Sequence, residues 1–375
     1  KKISVVGFGK LGCAFGLLCE KNGISVMAID KNKSYLEKLH FKTFKTSEPY
    51  IEDMLKESRL IEFSSDIGMA LNFSDIIFCF VATPSKDDNS YDHQYIEEVV
   101  FSMYEYNDNV KSLRGKTLVI NCTTTPMYCA SLSERLANIG VDVYYNPEFI
   151  NQGNICDGLE NADIVLIGQS DLTKETNSEL LDVYYSIMKK EPNFKILDLT
   201  GAEIAKLGTN FFLSAKISIA NVIHDLCMQM EVPESNIPQV LEAIGSDSRI
   251  GNKFFKAGYP ASGVCLPRDV RALQYCIDSV SLGYADRLPE AIIDSNKKHL
   301  EAMALELIND RKEIYFDYIS YKKGVPILTE SAPLELCKIL LDRGRNVVIS
   351  DSEQVIEQVK PILEKYNNQI TYQIF

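Results

Sequence analysis

The 375-residue chain has ten cysteines but no CxxC pair, and four histidines (His40, His93, His224, His299) with none at HxxxH or HxxE spacing. These absences exclude a sequence-encoded zinc site, a redox dithiol and a Ser-His-Asp hydrolase, and no metal is expected. The histidines read as surface or packing residues, and the scattered thiols as reduced core fillers. An excess of basic charge is also missing: 39 Lys and Arg against 52 Asp and Glu leave a net charge of −13. That balance argues against a broad grip on nucleic acid or an anionic membrane, so any anionic ligand must be held by local groups. No unbroken apolar run of about 18 residues occurs, and the chain opens in a strand pattern without a basic leader. The expected location is the cytoplasm. Low-complexity tracts, repeats and Ser/Gly linkers are absent as well.

What is present is a rhythm. Short β-branched runs at Ile3–Val6, Ser25–Ile29, Ile76–Val81, Leu118–Asn121, Val141–Tyr145 and Ile164–Ile167 alternate with amphipathic stretches. Such alternation predicts a parallel sheet covered by helices on both faces. From Ala202 to about Met230 the period becomes that of one long helix, and a mostly helical stretch follows to about Ile308. Glu313–Ser320, Pro333–Asp342 and Asn346–Ser350 restart a β-α-β pattern. The expected fold is α/β: an N-terminal Rossmann dinucleotide-binding domain (1–200), a long central helix with a helical dimerisation domain (201–298), and a smaller Rossmann-like C-terminal lobe (299–375). Apolar Ile217, Ile219, Val222 and Leu226 on the long helix predict a homodimer formed across it.

Gly7-Phe8-Gly9-Lys10-Leu11-Gly12 follows a predicted strand and opens a helix, and Asp30 closes the next strand. In that context GxGxxG is a strong dinucleotide signal. Gly7 permits a tight turn, Gly9 lets backbone approach a pyrophosphate, and Gly12 lets helix and strand pack closely. Asp30 would bind both ribose hydroxyls and repel a 2′-phosphate, which favours NAD over NADP; Lys31 and Lys33 weaken that preference. Thr83, in Phe80-Val81-Ala82-Thr83-Pro84-Ser85, ends a later strand at the same sheet edge, either as a ligand-facing turn or as a plain proline turn.

Three further segments carry chemistry: Asn146-Pro147-Glu148-Phe149, the helical set Glu203, Lys206, Asn210, Lys216 and Asn221, and Gly263-Val264-Cys265-Leu266-Pro267-Arg268-Asp269. Of the ten cysteines only Cys265 lies in a proline-punctuated turn between a glycine and an acid, so it is the one that reads as reactive. Its thiolate would turn an aldehyde into a thiohemiacetal, whose oxidation gives a thioester and then a carboxylate. Lys206 and Asn210, four apart, can offer an ammonium and an amide to one oxyanion.

In this order the motifs resemble the UDP-glucose/GDP-mannose dehydrogenase family, from residue 1 to about 350. The resemblance implies two successive oxidations of a nucleotide sugar, with UDP-glucose the leading substrate and GDP-mannose the alternative. It implies oxyanion roles for Lys206 and Asn210, water ordering by Asp269, a general base in Glu148, and a placing role for Thr123. It also implies substrate contacts from Glu148, Phe149, Gln152, Lys206, Asn210, Arg249, Gly263 and Lys322, with the lobe 299–375 binding the nucleotide of the substrate. Asn151-Gln152-Gly153 replaces an Arg-Glu-Gly of the family, the run Gly258–Gly263 is poorer in glycine, and Pro326, Ile327 and Thr329 replace an acidic pair and an arginine. The chain also ends early, at Phe375. Two other classes compete: a single-step β-hydroxyacid-type dehydrogenase, which needs no cysteine, and a non-catalytic nucleotide-sugar binding protein.

Overall fold

A computed structural model describes residues 1–150, 152–309 and 313–374 of the chain; Asn151 and Phe375, singled out above, lie outside the described residues. The chain divides into two compact units, Lys1–Lys206 and Leu207–Phe375.

The first unit is built on eight strands: β1 (Lys2–Val6), β2 (Ser25–Ile29), β3 (Ile61–Ser64), β4 (Ile76–Cys79), β5 (Thr117–Ile120), β6 (Asp142–Tyr145), β7 (Val165–Gln169) and β8 (Phe194–Asp198). Their order in the sheet is β3-β2-β1-β4-β5-β6-β7-β8. Neighbouring residues of one strand enter different cores. Ile3, Val5, Phe78 and Val119 pack with Phe15, Leu17 and Leu18 of the first helix, while Val6, Ile77, Cys79 and Ile120 pack with Val99, Met103 and Leu132. Both faces are therefore covered, as continuous apolar strands require. The expectation of a wholly parallel sheet needs one correction: β6 and β7 run antiparallel, while every other pairing in the sheet is parallel. The sequence pattern does not reveal β3 and β8 because they are edge strands: Glu62 and the run Lys195–Asp198 are exposed, so neither shows a buried apolar run.

The second unit contains a three-stranded parallel sheet, β9 (Ile314–Phe316), β10 (Val347–Asp351) and β11 (Ile370–Ile374), with β10 in the middle. The helix Ala332–Asp342 buries Leu334, Cys337, Leu340 and Leu341 in one core with Ile314, Phe316, Val347 and Ile349. This is the expected smaller α/β lobe, with a third strand at 370–374 that the sequence pattern does not mark.

The helix Leu199–Gln229 is 31 residues long. By length and composition alone it could cross a membrane, since one 18-residue window has a mean hydropathy of 1.3. The absence of an unbroken apolar run does not reveal this. The distribution around the helix is the reverse of ordinary amphipathicity: Glu203, Lys206, Asn210, Ser214, Ser218 and Asn221 are buried, whereas Phe212 is 64% and Met230 71% exposed, and Ile204, Ile219, Val222 and Leu226 are exposed on the same side. Buried polar groups survive only where they are bonded. Ser218 donates to Asn296 at 2.7 Å and Asn210 to Asp269 at 2.6 Å, so this inner stripe is a polar framework.

Candidate active site

Because β1, β2, β4, β5 and β6 run parallel, the segments that follow them share one edge of the sheet. Gly7–Gly12, Asp30, Val81–Pro84, Asn121–Pro126 and Asn146–Phe149 all lie there. The strand order reverses between β1 and β4, which is where open α/β sheets bind ligands.

At Gly7 the backbone is left-handed, with φ +86°, and an added Cβ would lie 2.7 Å from the Phe80 carbonyl carbon. The Gly7 N–H donates to the Ile29 carbonyl at 2.8 Å, which ties the turn to β2. A Cβ on Gly12 would lie 2.2 Å from the Gly7 oxygen, so only glycine lets the helix Lys10–Lys21 start so close to its strand. Gly9 faces open space, with nothing within 4 Å of a Cβ, and caps the helix without a side-chain hydrogen bond. Exposed Lys10 and half-buried Leu11 follow. Uncapped N–H groups beside an open glycine fit a pyrophosphate. Asp30 uses one carboxylate oxygen to accept the Asn32 N–H at 2.9 Å, and among the described residues the other has no partner. Lys31, a candidate for receiving a 2′-phosphate, instead sits 3.8 Å above the Tyr95 ring and 4.0 Å from Glu98. These residues fit NAD.

Farther along the edge, buried Thr83 donates its hydroxyl to the Thr123 carbonyl at 2.7 Å, coupling the β4 and β5 turns. The turn after β5 is anchored by Glu203, fully buried, whose carboxylate accepts from Thr124 Oγ1 (2.7 Å), the Met127 N–H (2.8 Å) and the Cys129 N–H (2.9 Å). Burial nevertheless holds this carboxyl above its usual range. His93 stacks on Tyr128 at 3.8 Å and accepts the Thr125 N–H at 3.2 Å; burial lowers it to about 4, so it is a neutral acceptor that braces the same turn.

Glu148 ends a buried chain of polar groups. Asn121 Nδ2 donates to the Asn146 carbonyl at 2.8 Å, Asn146 Nδ2 donates to the Leu166 carbonyl at 2.8 Å, and the Tyr184 hydroxyl lies between Asn146 Oδ1 and Glu148, 2.8 Å from the carboxyl. One phenol proton cannot serve two acceptors. The hydroxyl donates either to Asn146 Oδ1 or to the Glu148 carboxylate, and its bond to the carboxylate favours the ionised acid. Burial, partly offset by Tyr184 and by the charge of Lys206, raises the Glu148 carboxyl to about 7, where a general base is most useful. Lys206 Nζ donates to the Glu148 carbonyl at 2.7 Å and lies 4.4 Å above the Phe149 ring. Gln152 is half-buried on the following turn, which buried Glu48 holds by accepting the Gly153 N–H at 2.6 Å.

The second unit carries the thiol. Cys265 is the exposed cysteine among the described residues; seven others are buried and two half-buried. It caps the helix Leu266–Ser279, an end that favours negative charge on sulfur. Asp269, one turn on, is fully buried; it accepts from Asn210 Nδ2 at 2.6 Å and from Arg268 Nε at 3.3 Å. Gly263 has φ +83°, and a Cβ there would lie 2.5 Å from the Tyr321 ring. Lys322, the next residue of that segment, is exposed in a turn whose Lys322 carbonyl accepts from Ser320 Oγ at 2.9 Å. Arg249 is highly exposed and held in a fork by Asp247, Nε to Oδ1 at 2.9 Å and a terminal nitrogen to Oδ2 at 2.6 Å. Lys216 donates to the Ile250 and Gly251 carbonyls at 3.1 and 3.0 Å, fixing the backbone just beyond that arginine.

The structure thus groups Gly7, Gly9, Gly12, Asp30, Thr83, Thr123, Glu148, Phe149 and Lys206 in the first unit, and Asn210, Cys265 and Asp269 in the second. Arg249 and Lys322 lie on exposed turns of the second unit. Sequence reasoning misses Tyr184, His93 and Glu48: Tyr184 sits within an ordinary amphipathic helix, and nothing in its neighbours marks it. Asn146 has no role assigned by its motif, although its full burial is what lets it join Asn121 to Tyr184.

Two family models match the chain: the NAD binding domain of the UDP-glucose/GDP-mannose dehydrogenase family over residues 1–188, and the central domain of the same family over residues 200–298. A UDP-glucose 6-dehydrogenase of Gallus gallus is 30% identical over 386 residues, covering 96% of this chain and 75% of that protein. One from Rickettsia felis is 27% identical, covering 97% and 81%. Among solved structures, a UDP-glucose dehydrogenase from the archaeon Pyrobaculum islandicum superposes with a TM-score of 0.86 at 27% identity, covering 99% of this chain and 85% of that one. With its glycine turn, its Asp30 and its half-buried carboxyl at Glu148, the chain belongs to the UDP-glucose/GDP-mannose dehydrogenase family and is an NAD-dependent nucleotide-sugar dehydrogenase.

Proposed function

We propose that this dehydrogenase oxidises the primary alcohol of its sugar twice, from alcohol to carboxylate, with UDP-glucose as the substrate and UDP-glucuronate as the product. The observation that carries the reading is Cys265, an exposed thiol at a helix start one turn from a buried carboxylate held by Asn210. Bound NAD supplies the hydride acceptor, once for each oxidation.

In the first oxidation Glu148, ionised above about pH 7, takes the hydroxyl proton, directly or through a water placed by Thr123, as the C–H hydride leaves. Lys206 and Asn210 steady the developing alkoxide. The aldehyde has no leaving hydride until a nucleophile adds, and the Cys265 thiolate supplies that addition, forming a C–S bond and an oxyanion. Loss of the second hydride leaves a thioester on Cys265. Water ordered by Asp269 then breaks the C–S bond and releases the acid and the thiol. The balance is one alcohol, two NAD and one water giving one carboxylate, two NADH and three protons.

Phe149, Gln152 and Gly263 line the sugar, and Arg249 and Lys322 meet the phosphates, local cations in a chain of net charge −13. The exposed apolar side of the long helix, with Phe212, Ile219, Val222, Leu226 and Met230, is covered by a second copy in a homodimer. Light scattering at micromolar concentration tests it: a dimer is expected, and a monomer refutes it. Ten cysteines without a disulfide suit the reducing cytoplasm.

The test of the chemistry is the number of NADH formed per sugar acid in the presence of UDP-glucose. Two are expected for the wild type. Cys265→Ala is expected to lose acid formation by about a thousandfold or more while remaining folded. Undiminished acid from that variant would refute the thioester route and move the chain to single-step chemistry. GDP-mannose, assayed alongside, discriminates the substrate.

A further inference from the structure

The segment that delivers Cys265 begins at Gly258, and both faces of that residue's backbone are held by side chains from distant helices. The Gly258 N–H donates to Asn221 Oδ1 at 2.9 Å, and the Gly258 carbonyl accepts from His299 Nε2 at 2.9 Å. A carbonyl can only accept, so Nε2 is the donor in this bond. The other ring nitrogen lies 2.8 Å from Asp225 Oδ2, and Asp225 Oδ1 lies 3.1 Å from His224 Nδ1. Asp225 thus turns the His299 ring toward the loop, as a second-layer carboxylate orients a working imidazole.

At its far end the loop is held again. The Gly263 N–H donates to the Glu330 carbonyl at 2.9 Å, and the Glu330 carboxylate pairs with Arg271 on the helix that Cys265 caps, at 2.5 Å. The stretch between Gly258 and Gly263 is therefore suspended between two fixed points. His299 is 7% and Asn221 1% exposed, so both are buried. Asn221 Oδ1 and both ring nitrogens of His299 bond to protein groups, whereas Asn221 Nδ2 is buried without a partner among the described residues.

We propose that Asn221, His299 and Asp225 are positioning residues for the nucleophile: they clamp Gly258 so that Cys265 is delivered to the aldehyde in one geometry. This rests on the reading of Cys265 as the nucleophile. A misplacement of about 1 Å at a reacting atom can cost about a hundredfold in rate, so the clamp should act on the second oxidation and not on binding of NAD or sugar.

The experiment uses the full chain with NAD and UDP-glucose and compares His299→Leu, which removes both bonds, with His299→Gln, whose amide can still donate to the Gly258 carbonyl. Asp225→Asn serves as a second variant should His299→Leu not fold. Three readouts are taken on each: the rate of acid formation at saturating substrate, KM for NAD and for UDP-glucose, and amide hydrogen exchange of the peptide covering 257–265. Expected in His299→Leu and in Asp225→Asn is loop exchange faster by about tenfold or more, acid formation lower by about tenfold or more and KM for both substrates within about twofold; His299→Gln should recover most of the loss. Unchanged loop exchange overturns the clamp. Fast exchange with full acid formation, or His299→Gln behaving like His299→Leu, overturns its role in positioning. Failure of the underlying reading is separate: it shows as acid production by Cys265→Ala, and the exchange data then decide the clamp alone.

Discussion

The turn Gly7–Gly12 and the loop Gly258–Cys265 are both glycine-marked approaches to a helix, yet they are held in different ways. The first is fixed by its immediate surroundings: Gly7 bonds to the adjacent strand, and Gly12 packs on the Gly7 carbonyl five residues back. The second is fixed by residues 37 to 67 positions away, Asn221, His299 and Glu330, through backbone N–H and C=O groups. A turn of the first kind can be written as a short motif, because its tightest constraint, Gly12 against the Gly7 carbonyl, falls within six consecutive residues, even though Gly7 also meets Ile29 and Phe80. A remotely held loop cannot, and its tolerance to substitution depends on partners that no spacing rule connects.

The largest effect should come from breaking the local turn. Gly12→Ala forces a methyl to 2.2 Å from the Gly7 oxygen, and the turn must open. A loss of about 3 kcal/mol or more is expected in thermal or urea unfolding, together with loss of NAD binding by fluorescence titration. A stable variant that binds NAD normally would show that the turn is looser than a motif of this kind requires.

Next is Lys206→Ala, in which the Glu148 carbonyl loses its ammonium partner and, in the proposed mechanism, the reaction oxyanion loses its cation. Turnover should fall by about a hundredfold with little change in KM, measured as NADH formation at saturating substrate. Loss of affinity with turnover intact would reassign Lys206 to grip.

Glu148 titrates differently from an exposed carboxylate. Its folded value, about 7, is above the 4.5 of an unperturbed glutamate, so between these values the folded chain binds more protons than the unfolded one and stability falls as pH rises. Wild type relative to Glu148→Gln should therefore lose about 1 to 3 kcal/mol between pH 4.5 and 7, read from paired denaturant curves, while kcat/KM of the wild type falls below about pH 7. A flat stability difference would contradict the buried environment.

A smaller effect, confined to the remotely held loop, is expected from Gly263→Ala. An alanine at φ +83° with the Tyr321 ring 2.5 Å away should cost about 1 to 2 kcal/mol. Acid formation should suffer while NAD binding is untouched, the opposite of Gly12→Ala, and equal damage to both would erase the distinction between the two loops.

The glycine turn, Asp30, the long helix and Cys265 are legible in the sequence because each is marked by its neighbours along the chain. The β6 to β7 reversal is not, since an antiparallel and a parallel buried strand carry the same apolar run. The inside-out long helix is visible only as a mixed pattern. Its polar residues at 203, 206, 210, 214, 218 and 221 recur at helical spacing, but spacing alone does not say that this stripe is the buried one. Lys31, a possible phosphate partner by its position after Asp30, is occupied by Tyr95 and Glu98, neither near it in sequence.

By itself the sequence determined the α/β class, the dinucleotide turn, the preference for NAD and the identity of the odd cysteine out. All of these depend on backbone sterics or on composition within a few consecutive residues. Only the tertiary structure decided that Glu148 is a half-buried carboxyl raised to about 7 by its surroundings, that Tyr184 and Asn146 lie beside it, and that Asn221 and His299, the latter bonded to Asp225, hold Gly258 ahead of Cys265. The physical reason is range: chain geometry acts between neighbours, whereas desolvation and the pairing of buried polar groups depend on which distant residues the fold brings within about 3 Å.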